Sequence, residues 1–250
     1  MVQPVTIEDV IQSLDAIIQQ SITANSTLGY FASLYRRMTA AVLEGIRKGK
    51  FEDGPRMARL DVLFADRYLQ AYEQHRLRQP TTQAWHIAFE ACRLNQITVM
   101  QHLILGINAH INLDLGIAAA QTCPGKAIWK LEKDFMAING VLASLTRTVQ
   151  DELTQVWFPM RWLDRVTGNV DDDLVNFSIG VAREEAWRVA TELAFMAPPQ
   201  QQAYIRQLDD RIAGLARLIE KPAFLEEAIL RLVRMTEIKE PRKVIAILKD

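Results

Sequence analysis

Residues that build covalent and metal frameworks are scarce in this chain. It has two cysteines in 250 residues, Cys92 and Cys123, too few for a disulfide scaffold and without the paired spacing of a structural zinc site. A reducing compartment is expected. An excess of one charge is missing too: Lys and Arg total 29 against 30 Asp and Glu, a net charge of -1, so no overall field draws nucleic acid or anionic lipid. Nucleic acid is therefore not an expected partner. No G-x-x-x-x-G-K-[ST] or G-x-G-x-x-G loop occurs, no serine stands in G-x-S-x-G, and the cysteines lack a histidine at signature spacing. The function classes that depend on those motifs drop out. The opening MVQPVTIEDV has neither the basic nor the apolar region of a secretion signal, and a cytoplasmic protein is expected. Sustained period-two alternation and a βαβ rhythm are also absent, which removes the main support for a sheet.

What is present is an ordinary globular composition, 49% apolar and 24% charged. A length of 250 residues is near the upper end of what one core serves, so the chain reads as a single all-α domain over 1–250, a multi-helix bundle. Thr6 with Glu8 and Asp9 starts a first helix, carried by Val10, Ile11, Leu14, Ile17 and Ile18 through about Ile22. Phe31, Leu34, Tyr35, Met38 and Val42 stripe a second, closed by Gly49. Asp53-Gly54-Pro55 resets the chain before a third helix with Met57, Leu60, Phe64 and Tyr68 inward. Thr81 or Thr82 caps a fourth, with Trp85, Ala88, Phe89 and Cys92 inward.

The stretch around 98–121 is apolar on nearly every side, as a helix wrapped by others must be, and is expected to be the buried centre of the bundle. His102, Asn108, His110, Asn112 and Asp114 interrupt it and argue against a transmembrane segment. After the Cys123-Pro124-Gly125 breaker, periodicity resumes over 128–149 with Trp129, Leu131, Phe135 and Ile138. The aromatic run Trp157 to Leu163 has no clear period. Asp171, Asp172 and Asp173 suit the positive start of a helix reaching Phe195, and Arg183, Glu184 and Glu185 read as a solvated face around Trp187. Pro198-Pro199 and Lys221-Pro222 punctuate two more helices, and the tail Val244 to Leu248 fits either a strand or a helical turn.

At 100° per residue, His110 and Asp114 lie within about 40° of each other on the central helix, while Gln101, Asn108 and Asn112 cluster roughly opposite. His102 falls between these two polar ribbons, and Gly106 allows a neighbouring backbone to come close. Buried polar groups without partners cost about 1–3 kcal/mol each, so something must answer them. Protein groups, water, a metal or a substrate all remain open. His110 and Asp114, one turn apart, suit two ligands of a divalent metal, with His86 as a third. Asp61 sits within the apolar stripe of the third helix, where an acid must be paired or have its pKa raised, and serves as a further ligand or a base.

The segment from His102 to Gly116, HLILGINAHINLDLG, resembles the signature of a bacterial family known as domain of unknown function 5995. Phe64 to Tyr68, Trp85 to Phe89 and Arg183 to Trp187 are similar to that family as well, and the likeness runs from about Leu28 to Leu232. The resemblance implies no activity. A looser one, the H-x-x-x-D step at His110 and Asp114, is similar to ligand pairs in all-helical zinc phospholipases and nucleases, which use more histidines than the four here. Two functions follow as expectations. One is a binding or scaffolding protein with a polar pocket on its central helix, taking a small molecule or a protein partner. The other is a metal-dependent hydrolase in which the metal activates a water.

Overall fold

The computed structural model describes residues 3–138, 140, 170–221, 230, 231 and 233–249, with backbone alone over 170–179. Helices α1 (Ile7–Thr23), α2 (Gly29–Arg47), α3 (Gly54–Arg76), α4 (Gln83–Ala91) and α5 (Val99–Ile107) follow in order. A π-helix over Asn108–Leu115 and α6 (Gly116–Thr122) continue α5 without a break. A 3-10 turn over Gly125–Ala127 precedes helical residues 128–138, and α7 (Val170–Ala194), α8 (Pro198–Glu220), the helical residues 230, 231 and 233–236, and α9 (Pro241–Lys249) follow. There is no strand among the described residues, and the tail that fitted either state is α9.

Local chemistry explains most boundaries. Thr6 and Asp9 form a reciprocal capping box at the start of α1, and Asp53 caps α3 through Arg56 N at 2.9 Å. Gly49 adopts φ +65 just past α2, a conformation that costs glycine nothing. At α4 the expectation needs correcting. Thr82 occupies the cap position but its hydroxyl caps nothing, and Asp209 of α8 accepts from Gln83 N and Ala84 N at 2.7 and 3.0 Å instead. The central helix is likewise helped from outside, with Glu237 accepting from Val99 N at 3.2 Å.

The continuous helix Val99–Thr122 is long and apolar enough to cross a membrane by length and composition, but most of it is buried inside the protein. Its π segment touches α3, α4, α7 and α8, which makes it the centre of the bundle. The apolar core runs from Val10 to Leu248, and α9 packs on α1 and α2, where Ile245 fills the space a Cβ at Gly29 would need. Trp129, counted in the period of the helix that starts at Ile128, is exposed and lies 6.5 Å from the exposed Phe195 ring. The aromatic run Trp157 to Leu163 lies outside the described residues, as do the side chains of Asp171, Asp172 and Asp173.

Candidate functional site

Helical spacing on α2 sends Phe31, Tyr35, Met38, Thr39 and Val42 to one face, and on α3 it does the same for Met57, Leu60, Asp61 and Phe64. Between those faces and His110, Ile111 and Leu115 of the central helix lies a cavity of about 100 Å³, with Ile138 and Arg183 also in its lining. The walls are almost wholly apolar. Phe31 can sit against the central helix because residue 106 is glycine: a Cβ there would come within 2.4 Å of the Phe31 ring. A side chain, rather than the backbone expected there, makes the close approach at Gly106. The backbone approach occurs at Gly116, where a Cβ would stand 2.8 Å from Ala186 O of α7.

His110 is 2% exposed and is held by rings. It stacks on Phe64 at 3.6 Å between centroids, with planes 8° apart, and meets Tyr35 at 4.3 Å and 72°. Among the described residues neither ring nitrogen has a hydrogen-bond partner. Asp114 Oδ2 is 3.9 Å from His110 Nδ1, an electrostatic contact too long for a hydrogen bond. Burial, with a push from Arg67, holds His110 below the usual histidine range, although Asp114 pulls the other way.

Three further lining residues carry a polar atom without a partner among the described residues, Tyr35 OH, Thr39 Oγ1 and Asp61 Oδ2. Burial pushes Asp61 up to about 7. Tyr35 is raised by burial first and by the nearby Asp61 second. Tyr35, Thr39 and His110 are therefore uncharged near neutrality while Asp61 stands close to the midpoint between its two forms, and the set can give or take hydrogen bonds.

The structure separates the expected site residues. Asp61 and His110 line the same cavity. Asp114 is turned to other work: its Oδ1 accepts from Arg67 Nε at 2.6 Å and its Oδ2 from Trp85 Nε1 at 2.7 Å. Burial pushes its carboxyl upward, but Arg67, His110 and Trp85 outweigh that and keep it below the usual range. His86 is exposed on α4, because Trp85 takes the inward position beside it. His102 is buried elsewhere, edge-on to Tyr30 at 5.6 Å and 3.9 Å from Cys92 Sγ. Asn108 donates to Ile212 O of α8 at 3.1 Å and accepts from Asn112 at 2.9 Å, so that ribbon ties the central helix to α8.

The set His110, Asp114 and His86 therefore does not converge, and among the described residues no three His, Cys, Asp or Glu side chains gather as a metal would require. The chemistry of the donors present fits hydrogen bonding to an organic ligand better than metal ligation. Arg183 needs a correction as well. It is 2% exposed instead of solvated, with Nη2 donating to Phe135 O at 2.5 Å and the guanidinium 4.7 Å over the Phe135 ring. Its place three residues before Ala186 and seven before Ala190, both buried, was the available signal. Sequence reasoning also passed over Tyr35 and Thr39 as site residues, and Arg67 as the partner of Asp114. Thr39 falls one turn from Tyr35 on the apolar stripe, which was sufficient to place it inward.

No curated protein and no solved structure matches the chain. The sequence profile of one family matches residues 7–222, which include α1 to α8 and the whole cavity face. The chain belongs to the family of unknown function DUF5995.

Proposed function

We propose that the protein binds a small, largely apolar molecule in the cavity between α2, α3 and the π-helical segment. One observation carries this reading. Of eight buried side-chain polar atoms without a partner among the described residues, five belong to side chains that line this cavity: Tyr35 OH, Thr39 Oγ1, Asp61 Oδ2 and the two His110 nitrogens. Each left unanswered costs about 1–3 kcal/mol, so a concentration of five in one place is expensive unless an occupant repays it. Their position inside the bundle favours a small molecule over a protein partner. A dry apolar cavity of about 150 Å³ accepts benzene, so a volume of about 100 Å³ suits a compact ligand of four or five carbon atoms, or the head of a longer one.

Filling the cavity tests the proposal. Thermal unfolding of the purified protein is followed against a panel of short alcohols, ketones and amines, because a ligand that binds only the folded state raises the melting temperature with concentration. At least one class is expected to do so in the wild type and to lose its effect in Thr39→Phe, which places a ring in the space. Equal stabilisation of both proteins would show that the probes bind elsewhere.

A further inference from the structure

We infer that the occupant of this cavity is a small aliphatic amine whose ammonium is held by Asp61 among the rings of Phe31, Tyr35 and Phe64. The inference rests on the cavity being a ligand site. Asp61 supplies the first step. Among the described residues its Oδ2 has no donor, and Arg183 is the one arginine or lysine that lines the cavity. Arg183, the other ionisable group with a formal charge in the lining, is engaged with the Phe135 carbonyl and ring. What the Asp61 end of the cavity lacks is a positive charge with hydrogens to donate.

The surrounding groups suit that charge. Phe31 and Tyr35 lie 5.7 Å apart with planes at 18°, and Phe64 stands 6.0 Å from Tyr35 at 73°, so ring faces and edges meet at one wall. Ring faces carry the negative part of the quadrupole and attract an ammonium, most strongly when water is excluded. A primary ammonium brings three donors. Asp61 Oδ2, the unprotonated nitrogen of the neutral His110 imidazole, and the Tyr35 or Thr39 hydroxyl oxygen are acceptors still free in the same lining. Leu34, Val42, Met57 and Leu60 leave only apolar surface for the rest of the ligand. An alcohol offers one donor and no charge. A carboxylate would meet Asp61 as a like charge.

Three probes of one size separate these cases: butylamine, butanol and butyrate, titrated calorimetrically into the full chain at about neutral pH. Butylamine is expected to bind at least about tenfold more tightly than the other two, and that preference is expected to vanish in Asp61→Asn while butanol binding changes by less than about twofold. Asp61→Leu, which replaces the acid with an apolar side chain, serves as the second variant and should lose the same preference. Tighter binding of butanol or butyrate, or an amine preference that survives in both variants, overturns the amine inference and leaves the ligand site standing. Failure of all three probes to bind the wild type overturns the ligand site itself.

Discussion

Asp61 and His102 pull stability in opposite directions as pH changes. Burial raises Asp61 to about 7, so between an ordinary carboxylate value near 4 and that point the folded protein keeps a proton the unfolded chain has released. Stability therefore falls as pH rises through that window. His102 is pushed down to about 3, by burial first and by Arg234 second, and His110 is lowered as well. Below about 6.5 the unfolded chain binds protons that these folded imidazoles refuse, so their contribution is lost as pH falls. Asp61→Asn removes the Asp61 slope and leaves that of the histidines in place. Urea unfolding should show the variant gaining more over the wild type at about pH 7.5 than at about pH 5, by up to about 1.4 kcal/mol for each pH unit in the window. An equal difference at both values would contradict the assignment. Asp114 has the opposite role, since its two oxygens serve Arg67 and Trp85. Asp114→Ala should cost about 3 kcal/mol by leaving a partly buried guanidinium and an indole N–H without an acceptor, and by the same amount with and without chelator. Thermal or urea melts read both.

At the scale of elements, capping across the fold carries as much weight as capping within the sequence. Asp134 accepts from Glu52 N, Asp53 N and Arg56 Nη2 at 2.7, 3.1 and 2.6 Å and ties the 128–138 helix to the start of α3. Asp209 does the same for α4. Asp209→Ala is expected to cost about 1–2 kcal/mol and to speed hydrogen exchange at Gln83 and Ala84, whereas Thr82→Ala should cost less than about 0.5 kcal/mol. The difference marks where a sequence stops being legible. The Thr6–Asp9 box and Gly49 are local signals and could be read directly, as could the all-round apolar character of 98–121. A cap donated from residue 209 has no local trace. The π segment is a second case: hydrogen bonds from i to i+5 break the 100° step over Asn108–Leu115, so angular arithmetic located the His110 ribbon but not which neighbour each member meets. Asp61 was legible because an acid on an apolar stripe is anomalous. His86 was misleading because its neighbour Trp85 takes the buried side of a nine-residue helix.

At the scale of the whole molecule, contacts among the described helices join distant parts of the chain. α9 closes on α1 and α2, α8 packs along α4, α5 and the π segment, and α7 packs on α6. Chemical unfolding should therefore show one transition, with helical circular dichroism and tryptophan fluorescence superimposing; two separated transitions would divide the chain into independent domains. The cavity is lined by α2, α3 and the central helix with Ile138 and Arg183, and His110 is the residue that reports on it most directly. Imidazole nitrogen resonances distinguish neutral from protonated rings and respond when either nitrogen gains a partner. The decisive measurement is the ring ¹⁵N spectrum of His110 between about pH 5 and 8, with and without butylamine. It should show an imidazole that stays neutral across the range, as its burial requires, and that shifts on saturation with the amine while His86 does not. A His110 that titrates near about 6.5, or that is unmoved by a ligand the protein demonstrably binds, would place the ligand elsewhere and contradict the cavity as the functional site.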